Sequence, residues 1–484
     1  MQELRQERLR THPISPSYTH FKKTKMNPSA TTVQGIPARA QAASPDIAAD
    51  NALYSKVSWR LLPLLLLCYM VAYLDRINIG YAQIQMKQTL DFGDAAYGFG
   101  AGLFFIGYFL FEVPSNLLLE KIGTRKTLMR IMVVWGVIAT AMAWVSTPMQ
   151  FYVARFLLGA FEAGFFPGVI LYFTYWYPSA RRGRVISIFL SAVMGMAIVA
   201  GPLCGAILKY MNGIDGLHGW QWLFLIQGPP ACILGVILYF YLQDRPADAK
   251  WLTAEEKARL QHNLANDSKE GGKPSAHGHH AHQSGHGHSA TLSQLLRDPK
   301  VYALSLAYFM MHGATYLFVF WMPTVIQGLG VQDVLHVGIY SAIPFIAGLF
   351  GMIAFGASSD KFRERRWHFF IATGVAIIGL VITLQMHGHL EGSLVSLAFT
   401  LIGLAALPPL FFALVSDYLS PAVAAGGIAL ISSLGNLGSA ASPMLAGVMT
   451  QYTGNKQYSI YLVLVMLILS VIVLMLTTMR KAKA

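Results

Sequence analysis

Long apolar stretches alternate with short polar segments along the chain after residue 56. Twelve of these stretches are long enough to cross a bilayer as α-helices, since the hydrocarbon core requires about 20 apolar residues per helix. Numbered 1 to 12 in chain order, the predicted spans cover 57–81, 95–119, 127–146, 149–174, 184–210, 220–243, 300–328, 335–359, 367–387, 392–416, 423–450 and 457–479. The pattern predicts an all-α membrane protein with twelve transmembrane helices.

The polar segments divide the chain into five predicted parts. These are a disordered cytoplasmic tail (1–56), an N-terminal six-helix bundle (57–243), a cytoplasmic linker (244–299), a C-terminal six-helix bundle (300–479) and a short cytoplasmic tail (480–484). Residues 1–50 lack the apolar core and cleavage site of a signal peptide. Within the linker, Thr253 and Glu256 form the pattern of a capping box, which predicts the start of a short helix.

Histidines are concentrated in the linker at 277–288, with the sequence HGHHAHQSGHGH. Such a tract is able to bind Zn²⁺ or Ni²⁺, but in a Gly/Ser-rich linker we favour a disordered spacer. We therefore expect neither a metal site nor a cofactor.

Composition agrees with a membrane protein: the 484 residues are 55% hydrophobic and 12% charged, whereas soluble domains carry roughly 25% charged residues. A net charge of +13 is also typical of nucleic-acid binding. However, Lys and Arg are concentrated in alternate loops, which is the positive-inside pattern and predicts that both termini are cytoplasmic. We expect a multi-pass protein of the cell's inner (plasma) membrane that binds no nucleic acid.

The two halves repeat one another at a constant spacing. Glu120 and Arg125 follow span 2, and Asp360 and Arg365 follow span 8. Asp360 lies 240 residues after Glu120, and Arg365 lies 240 residues after Arg125. Prolines in spans 4 and 5 recur in spans 10 and 11 near the same offset. This predicts two bundles that share one architecture.

Span 4 carries two full charges inside an apolar, glycine-rich stretch, RFLLGAFEAGFFPG (155–168). Arg155 and Glu162 are seven residues apart, which on a helix is about two turns and about 10 Å along one face. A charge at membrane depth costs on the order of 3 kcal/mol or more, so it faces a partner or an aqueous cavity. The pair is either a functional site or a structural ion pair between helices.

The other charges deep in the spans also belong to the first half. Asp75 and Arg76 lie in span 1, while Glu112 is near the end of span 2, where a structural role is favoured. At the 240-residue offset, Asp75, Arg155 and Glu162 correspond to Thr315, Val395 and Ile402. We therefore expect the first half to handle ions.

These residue types suit proton-coupled transport of an anion. Arginine binds a carboxylate through two parallel hydrogen bonds and remains charged. A buried carboxylate changes its proton affinity with burial and with nearby charge, so opening the cavity to either side can load or release a proton. Asp75 and Glu162 fit the proton role, and Arg76 and Arg155 fit the substrate role.

Several motifs make the chain similar to the major facilitator superfamily and, within it, to the anion:cation symporter family. The loops after spans 2 and 8 resemble the superfamily's loop signature, although the first copy has Asn116 for its leading Gly and Glu120 for Asp. The stretches resembling the narrower family are YLDRINIG (73–80), GYFLFEVPSN (107–116), 155–168 and WLTAEE (251–256). The likeness runs from about residue 55 to the C-terminus.

The resemblance implies a fold of two six-helix bundles and transport of organic anions such as sugar acids or tartrate-like and phthalate-like carboxylates, usually driven by protons. It assigns proton coupling to Asp75 and Glu162. It also implies that Tyr73, Arg76 and Tyr108 contact the substrate. Arg155 would couple substrate to proton.

Two further expectations concern the second half and the loops. Asn436 in span 11 is the best polar substrate contact from the second half, with a helix–helix hydrogen bond as an equal alternative. The resemblance makes the loop residues Glu120, Arg125, Asp360 and Arg365 conformational gates. In such a gate, an acid pairs with a helix N-terminus or a neighbouring Arg.

The alternative function is a proton-coupled antiporter that exports cationic or amphipathic compounds. Gly201-Pro202-Leu-Cys-Gly205 in span 5 resembles an antiporter motif, although such glycines also allow close helix packing. An enzyme or receptor is disfavoured, because the spans hold no metal-ligand pair or Ser/His/Asp set. His312 in span 7 is able to titrate, but a lone histidine is usually paired with a neighbour. We expect a monomer in the lipid bilayer with a small organic anion as its ligand.

Overall fold

The computed structural model describes residues 45–90, 92–270, 297–386, 389–419, 424–455 and 457–479. In these residues, twelve helical segments are long and apolar enough to cross a membrane. The predicted all-α architecture with twelve spans is therefore confirmed.

The spans have the following bounds. In the first half they are Pro45–Ile77 with Ile79–Thr89 (span 1), Asp94–Ile122 (2), Thr124–Ala141 (3), Pro148–Glu162 with Phe165–Thr174 (4), Ser179–Tyr210 (5) and Gly219–Tyr241 (6). In the second half they are Pro299–Gly328 (7), Val334–Phe362 (8), Arg366–Gln385 (9), Leu390–Tyr418 (10), Ala424–Thr453 (11) and Gln457–Met479 (12). Between the halves lies the linker helix, Ala254–Glu270.

Local sequence explains where several helices begin. Thr147 caps span 4 through a reciprocal capping box with Gln150, and Pro148 fills the first helical position. Asp298 and Asp333 cap spans 7 and 8 by accepting hydrogen bonds of 2.9 Å from the backbone N–H two residues later. These caps satisfy helix-start N–H groups that have no partner within the helix.

Two spans differ from simple apolar rods. The first helix begins at Pro45, well before the predicted start at residue 57, because a helix continues beyond the apolar stretch that hydropathy detects. Spans 1 and 4 each consist of two consecutive helices, divided at Asn78 and at Ala163–Gly164. Both divisions lie beside charged residues, Arg76 in span 1 and Glu162 in span 4.

The two halves meet closely at the end of the bundle where span 5 ends and span 8 begins. Span 2 packs along span 11, and span 5 packs along span 8. A Cβ added to Gly338 of span 8 would lie 2.1 Å from the backbone oxygen of Gly201 in span 5, so both positions require glycine. Gly205 likewise faces Val334, where a Cβ would lie 2.7 Å from the backbone oxygen. The glycines of the antiporter-like motif thus serve helix packing between the halves.

Polar contacts reinforce this closed end. The ammonium of Lys209, at the end of span 5, pairs with the carboxylate of Asp333 before span 8. This hydrogen bond lowers the pKa of Asp333 below its usual range. Between spans 2 and 11, the backbone N–H of Ala95 donates to Gln451 Oε1 at 3.0 Å.

The linker helix docks on the first half near the start of span 1 and the junction of spans 4 and 5. Its capping box is formed by Thr253 and Glu256, and Glu256 also pairs with Lys56 at 2.8 Å. Hydrogen bonds from Lys56 and from the Thr253 backbone lower the pKa of Glu256. Just before the helix, the Trp251 ring stacks on Trp176 with centroids 5.7 Å apart. The histidine-rich tract 277–288 lies outside the described residues.

Candidate functional site

A polar cluster at the centre of the molecule joins spans 1, 4 and 7. The Arg76 guanidinium forms an ion pair with Glu162, whose carboxylate is 1% exposed, through Nη2. Through Nη1 the same guanidinium donates to the Tyr316 hydroxyl at 3.1 Å. Tyr316 lies 240 residues after Arg76, so positions equivalent in the two halves contact each other across the interface. The second carboxylate oxygen of Glu162, Oε2, is buried and has no hydrogen-bond partner among the residues that the structure describes.

Arg155 lies nearby on span 4 and is 1% exposed. Its Nε and Nη2 atoms are buried and have no hydrogen-bond partner within the described part of the chain. The guanidinium carbon lies 4.9 Å from the ring centroid of Phe104 in span 2. Gly159 permits this approach, since a Cβ there would lie 1.9 Å from the Phe104 backbone oxygen. Arg155 is thus a buried cation with unused donors, held against an aromatic face.

The geometry shows which arginine pairs with Glu162. Arg155 and Glu162 share a helix face, yet the acid pairs with Arg76 of span 1 and not with Arg155. The physical reason is the distance of about 10 Å that seven residues span along a helix. Span 1 places the Arg76 guanidinium at the same depth as Glu162. The coupling role predicted for Arg155 stays a prediction.

Asp75 has a different environment from Glu162, although both are 1% exposed. Its Oδ2 accepts a hydrogen bond of 2.7 Å from the indole N–H of Trp135 in span 3. The Asn78 amide lies 3.5 Å from Oδ1 and donates to Gln227 of span 6 at 3.0 Å. Asp75 therefore faces the interior of the first bundle, and neither Arg76 nor Arg155 pairs with it in the described structure.

Of the remaining predicted substrate contacts, only Tyr108 has a described contact with the central cluster. The half-buried Tyr108 has its ring centroid 5.3 Å from the Arg76 guanidinium, so it lies at the cluster. Tyr73 is buried one helical turn before Arg76, but no hydrogen bond or ring contact of its side chain is described. Asn436 is half-buried, and the described residues include no hydrogen-bond partner for it. Glu112 is also half-buried, without a described ion pair.

The predicted gate loops are described only in part, and their role as gates stays a prediction. After span 2, the Asp244 carboxylate at the end of span 6 accepts a hydrogen bond of 2.9 Å from the backbone N–H of Arg125. Its other oxygen is 3.7 Å from Arg125 Nε. The acid at this helix N-terminus is therefore Asp244, while the Glu120 side chain lies outside the described part of the structure. After span 8, Arg365 approaches Asp360 of its own loop at 3.9 Å.

The second half faces the cluster with aromatic rings spaced four residues apart on span 7. The His312 ring stacks on Tyr308, with centroids 4.9 Å apart and an interplanar angle of 18°. It also meets Tyr316 edge to face at 5.0 Å. Phe412 of span 10 packs on Tyr308 at 4.9 Å. Spans 1, 4, 7 and 10 therefore all contribute to the centre of the molecule.

Sequence reasoning missed several residues of this site. Tyr316 was detectable, because the 240-residue offset carries Arg76 onto it. Trp135 and Gln227 had no comparable signal, since an indole and an amide in an apolar helix usually serve packing. Asp244 was hidden by its position at the end of span 6. No group of His, Cys, Asp or Glu in the described residues is arranged to hold a metal ion.

Comparison with known proteins agrees with the fold. The family model described as Major Facilitator Superfamily matches residues 65–397 and 337–484. The chain belongs to this superfamily. Membership makes the protein a transporter and not an enzyme.

Relatives with similar sequences cover nearly the whole protein. A putative metabolite transport protein, NicT, of Pseudomonas putida is 41% identical over 87% of this chain and 93% of its own length. A putative tartrate transporter of Agrobacterium vitis is 40% identical over 88% of this chain and 94% of its own. A quinolone resistance transporter of Acinetobacter baumannii is 40% identical over 86% of this chain and 92% of its own length.

Solved structures share the fold at low sequence identity. A bacterial homolog of the human lysosomal transporter Spinster, in an inward-facing and unoccupied conformation, superposes with a TM-score of 0.71 at 17% identity. The match covers 87% of this chain and 97% of that one. A D-xylose-proton symporter gives a TM-score of 0.66 at 15% identity, covering 86% and 96%. Major facilitator transporters thus share the architecture of the chain.

Proposed function

We propose that this transporter takes up a small organic anion, a carboxylate, together with protons. The observation that carries the proposal is Arg155, a buried guanidinium whose Nε and Nη2 have no hydrogen-bond partner in the described structure. Buried polar groups are nearly always paired, and a guanidinium is matched in shape and charge to a carboxylate. The tartrate transporters among the relatives support an anionic substrate.

Glu162 is the proposed coupling carboxylate at the substrate site. The Arg76 guanidinium pairs with Glu162 and also donates a hydrogen bond to the Tyr316 hydroxyl. Protonation of Glu162 would therefore release this guanidinium from its ion pair. An anion entering an inside-negative cell is opposed by about 2.3 kcal/mol per charge per 100 mV. Moving more than one proton per negative charge reverses that opposition. Asp75, held by Trp135 within the first bundle, is the second proposed proton site.

The proposed mechanism is alternating access about this central cluster. The halves are joined at the end where span 5 ends and span 8 begins, by Gly201, Gly338, Lys209 and Asp333. The positive-inside distribution of Lys and Arg supports placing both termini in the cytoplasm. With that orientation the closed end faces outward, so the structure corresponds to a state closed to the outside. We place the protein in the inner (plasma) membrane as a monomer, with loop pairs such as Arg125–Asp244 as conformational gates.

The second candidate is a proton-coupled exporter of amphipathic compounds. The quinolone resistance transporter among the relatives favours it. The packing role of Gly201 and Gly205 removes part of the sequence support, because these glycines fit tightly against span 8. The buried arginines also disfavour a cationic cargo.

Reconstituted vesicles that contain a pH-sensitive dye distinguish the two functions. For symport we expect a carboxylate added outside to acidify the lumen, whereas exchange against protons would make the lumen alkaline. Arg155→Ala is the matched negative control, because it removes the proposed anion site. The absence of any carboxylate-dependent pH change, or alkalinisation of the lumen, would contradict the proposal.

A further inference from the structure

We propose that Glu112 of span 2 is a third coupling carboxylate, which takes over the Arg76 guanidinium when Glu162 is protonated. The inference rests on the proposed function, because that function requires Arg76 to leave its ion pair with Glu162. It follows from the register of spans 2 and 4, from the contacts of the guanidinium with span 2, and from the charges around Glu112.

Two close glycine contacts fix the register between spans 2 and 4. A Cβ added to Gly107 of span 2 would lie 2.3 Å from the backbone oxygen of Phe156 in span 4. A Cβ added to Gly164, where span 4 divides, would lie 1.9 Å from the side-chain oxygen of Ser115 in span 2. Both contacts advance in the same order along the chain, so the two spans run side by side in the same direction.

This register places two carboxylates at a similar depth. Glu112 lies between the two contact points on span 2, and Glu162 lies between the two contact points on span 4. The Arg76 guanidinium is at the same depth, because it pairs with Glu162. Sequence position alone suggested a place near the end of span 2 for Glu112, but the helix continues to residue 122. Glu112 therefore belongs to the level of the central cluster.

The Arg76 guanidinium already lies against span 2. Its central carbon is 5.4 Å from the ring centroid of Phe104 and 5.3 Å from that of Tyr108. Glu112 follows Tyr108 by about one helical turn, roughly 6 Å along the axis, and it interacts electrostatically with both Tyr108 and Arg76. Arg76 Nε is buried and has no hydrogen-bond partner in the described structure, so the guanidinium has an unused donor for a second acid.

The helices packed on span 2 offer Glu112 no other cation at this depth. Span 11 contains no Asp, Glu, Lys, Arg or His. Span 3 carries charged residues only at 125–130, near its start beside the end of span 2. On span 4, Arg155 precedes Glu162 by seven residues, or about 10 Å along the axis. Arg76 is therefore the cation that is placed to pair with Glu112.

A second acid at this depth changes the consequence of protonating Glu162. A largely buried guanidinium that loses its counter-charge is strongly destabilising. With Glu112 beside it, Arg76 exchanges one carboxylate for another and stays charged, while the proton remains bound to Glu162. An anion that binds to Arg76 then has to displace Glu112, so the empty, protonated transporter keeps its charges compensated.

Melting temperatures of the purified, substrate-free protein test this exchange, with Glu162→Gln imitating the protonated acid. Measurements at about pH 8 favour the ionised form of the remaining carboxylates. In the otherwise wild-type protein, Glu112→Gln should change the melting temperature by less than about 1 °C, because Glu162 holds Arg76. In the Glu162→Gln background the same substitution should lower it by about 2–6 °C, because Arg76 then loses its last acid.

Glu391→Gln, at an exposed position in the first turn of span 10, is the matched control. It makes the same chemical change and should have the same small effect in both backgrounds. A packing role of Glu112 would likewise give Glu112→Gln an equal effect in both backgrounds, and that result would overturn the proposal. A Glu162→Gln protein that does not fold would also overturn it, because Glu112 would have failed to take over Arg76. Failure of the double variant alone to fold would support it.

The experiment also separates this inference from the proposed function, since it needs no substrate. Equal effects in both backgrounds, together with loss of accumulation and retained counterflow in Glu162→Gln, would overturn the role of Glu112 and leave carboxylate symport intact. Unequal effects without any carboxylate-dependent acidification of vesicles would overturn the symport. In that case the exchange of Arg76 between the two acids would stand, but Glu112 would not be a coupling residue of carboxylate uptake.

Discussion

The two halves of the molecule are built alike but face the central site with different chemistry. The first half contributes the buried charges Asp75, Arg155 and Glu162 and the half-buried Arg76, whereas the second contributes the rings of Tyr308, His312 and Tyr316. Their meeting point is the hydrogen bond from Arg76 to Tyr316, which joins equivalent positions of the repeat. The repeat supplies one scaffold twice, and substitution on each copy separates ion handling from recognition of the uncharged part of a substrate.

The largest expected effect comes from the unpaired cation of the first half. Arg155→Lys keeps the charge but loses the bidentate geometry, so we expect uptake to fall roughly 10- to 100-fold. The protein should remain folded, with an unchanged melting temperature. Arg184→Lys, at an exposed position near the start of span 5, is the matched control and should leave uptake unchanged. Wild-type uptake by Arg155→Lys would make Arg155 only a structural counter-charge.

A second experiment probes the contact surface that the halves share. Gly338→Ala places a Cβ 2.1 Å from the Gly201 backbone oxygen, which costs the closed end roughly 1–3 kcal/mol. We expect spin labels at Tyr210 and Gln332 to show a population with a longer separation. Gly356→Ala on the same span has no atom within 4 Å and should leave the distances unchanged. Identical distance distributions in both variants would show that this contact does not hold the halves together.

The third prediction separates the two acids of the first half. Trp135→Phe removes the 2.7 Å hydrogen bond to Asp75, and we expect the pH profile of uptake to move because that bond favours the ionised carboxylate. A loss of about two- to tenfold at neutral pH should accompany the shift. Trp176→Phe is the matched control, since the buried Trp176 indole nitrogen has no hydrogen-bond partner among the described residues. An unchanged profile in Trp135→Phe would remove Asp75 from the proton path.

The smallest effect is expected at the exposed ion pair of the closed end. Asp333→Asn should change transport by no more than a few-fold, because exposed ion pairs contribute little. The hydrogen bond from Lys209 lowers the pKa of Asp333. The ion pair therefore stabilises the closed end fully at pH values above the ordinary carboxylate pKa, and this contribution is lost only as the pH falls through the lowered pKa. Spin-label distances at this end should therefore be constant between about pH 6 and 8 in wild type. A large opening in that interval would contradict this assignment.

Hydropathy and charge spacing were sufficient to predict the twelve spans and the half that carries the buried charges, and the resemblance of several motifs predicted the superfamily. They did not predict which charges pair, because a shared helix face does not bring residues into contact along the axis. Glu162 reaches Arg76 only because span 1 passes at its level, and Asp75 reaches Trp135 only through the rotation of spans 1 and 3. Such rotations depend on the packing of glycines and large side chains between helices, which one sequence does not encode in any simple period.

The most direct test of proton coupling compares accumulation with counterflow in Glu162→Gln, purified and reconstituted in the same vesicles. Gln resembles protonated Glu, so the site should still load the anion while being unable to release and reload a proton. We predict loss of accumulation driven by a pH gradient, with exchange of internal for external substrate at least partly retained. Wild-type accumulation would contradict the proton role of Glu162. Loss of both activities with a large drop in melting temperature would show that Glu162 only neutralises Arg76.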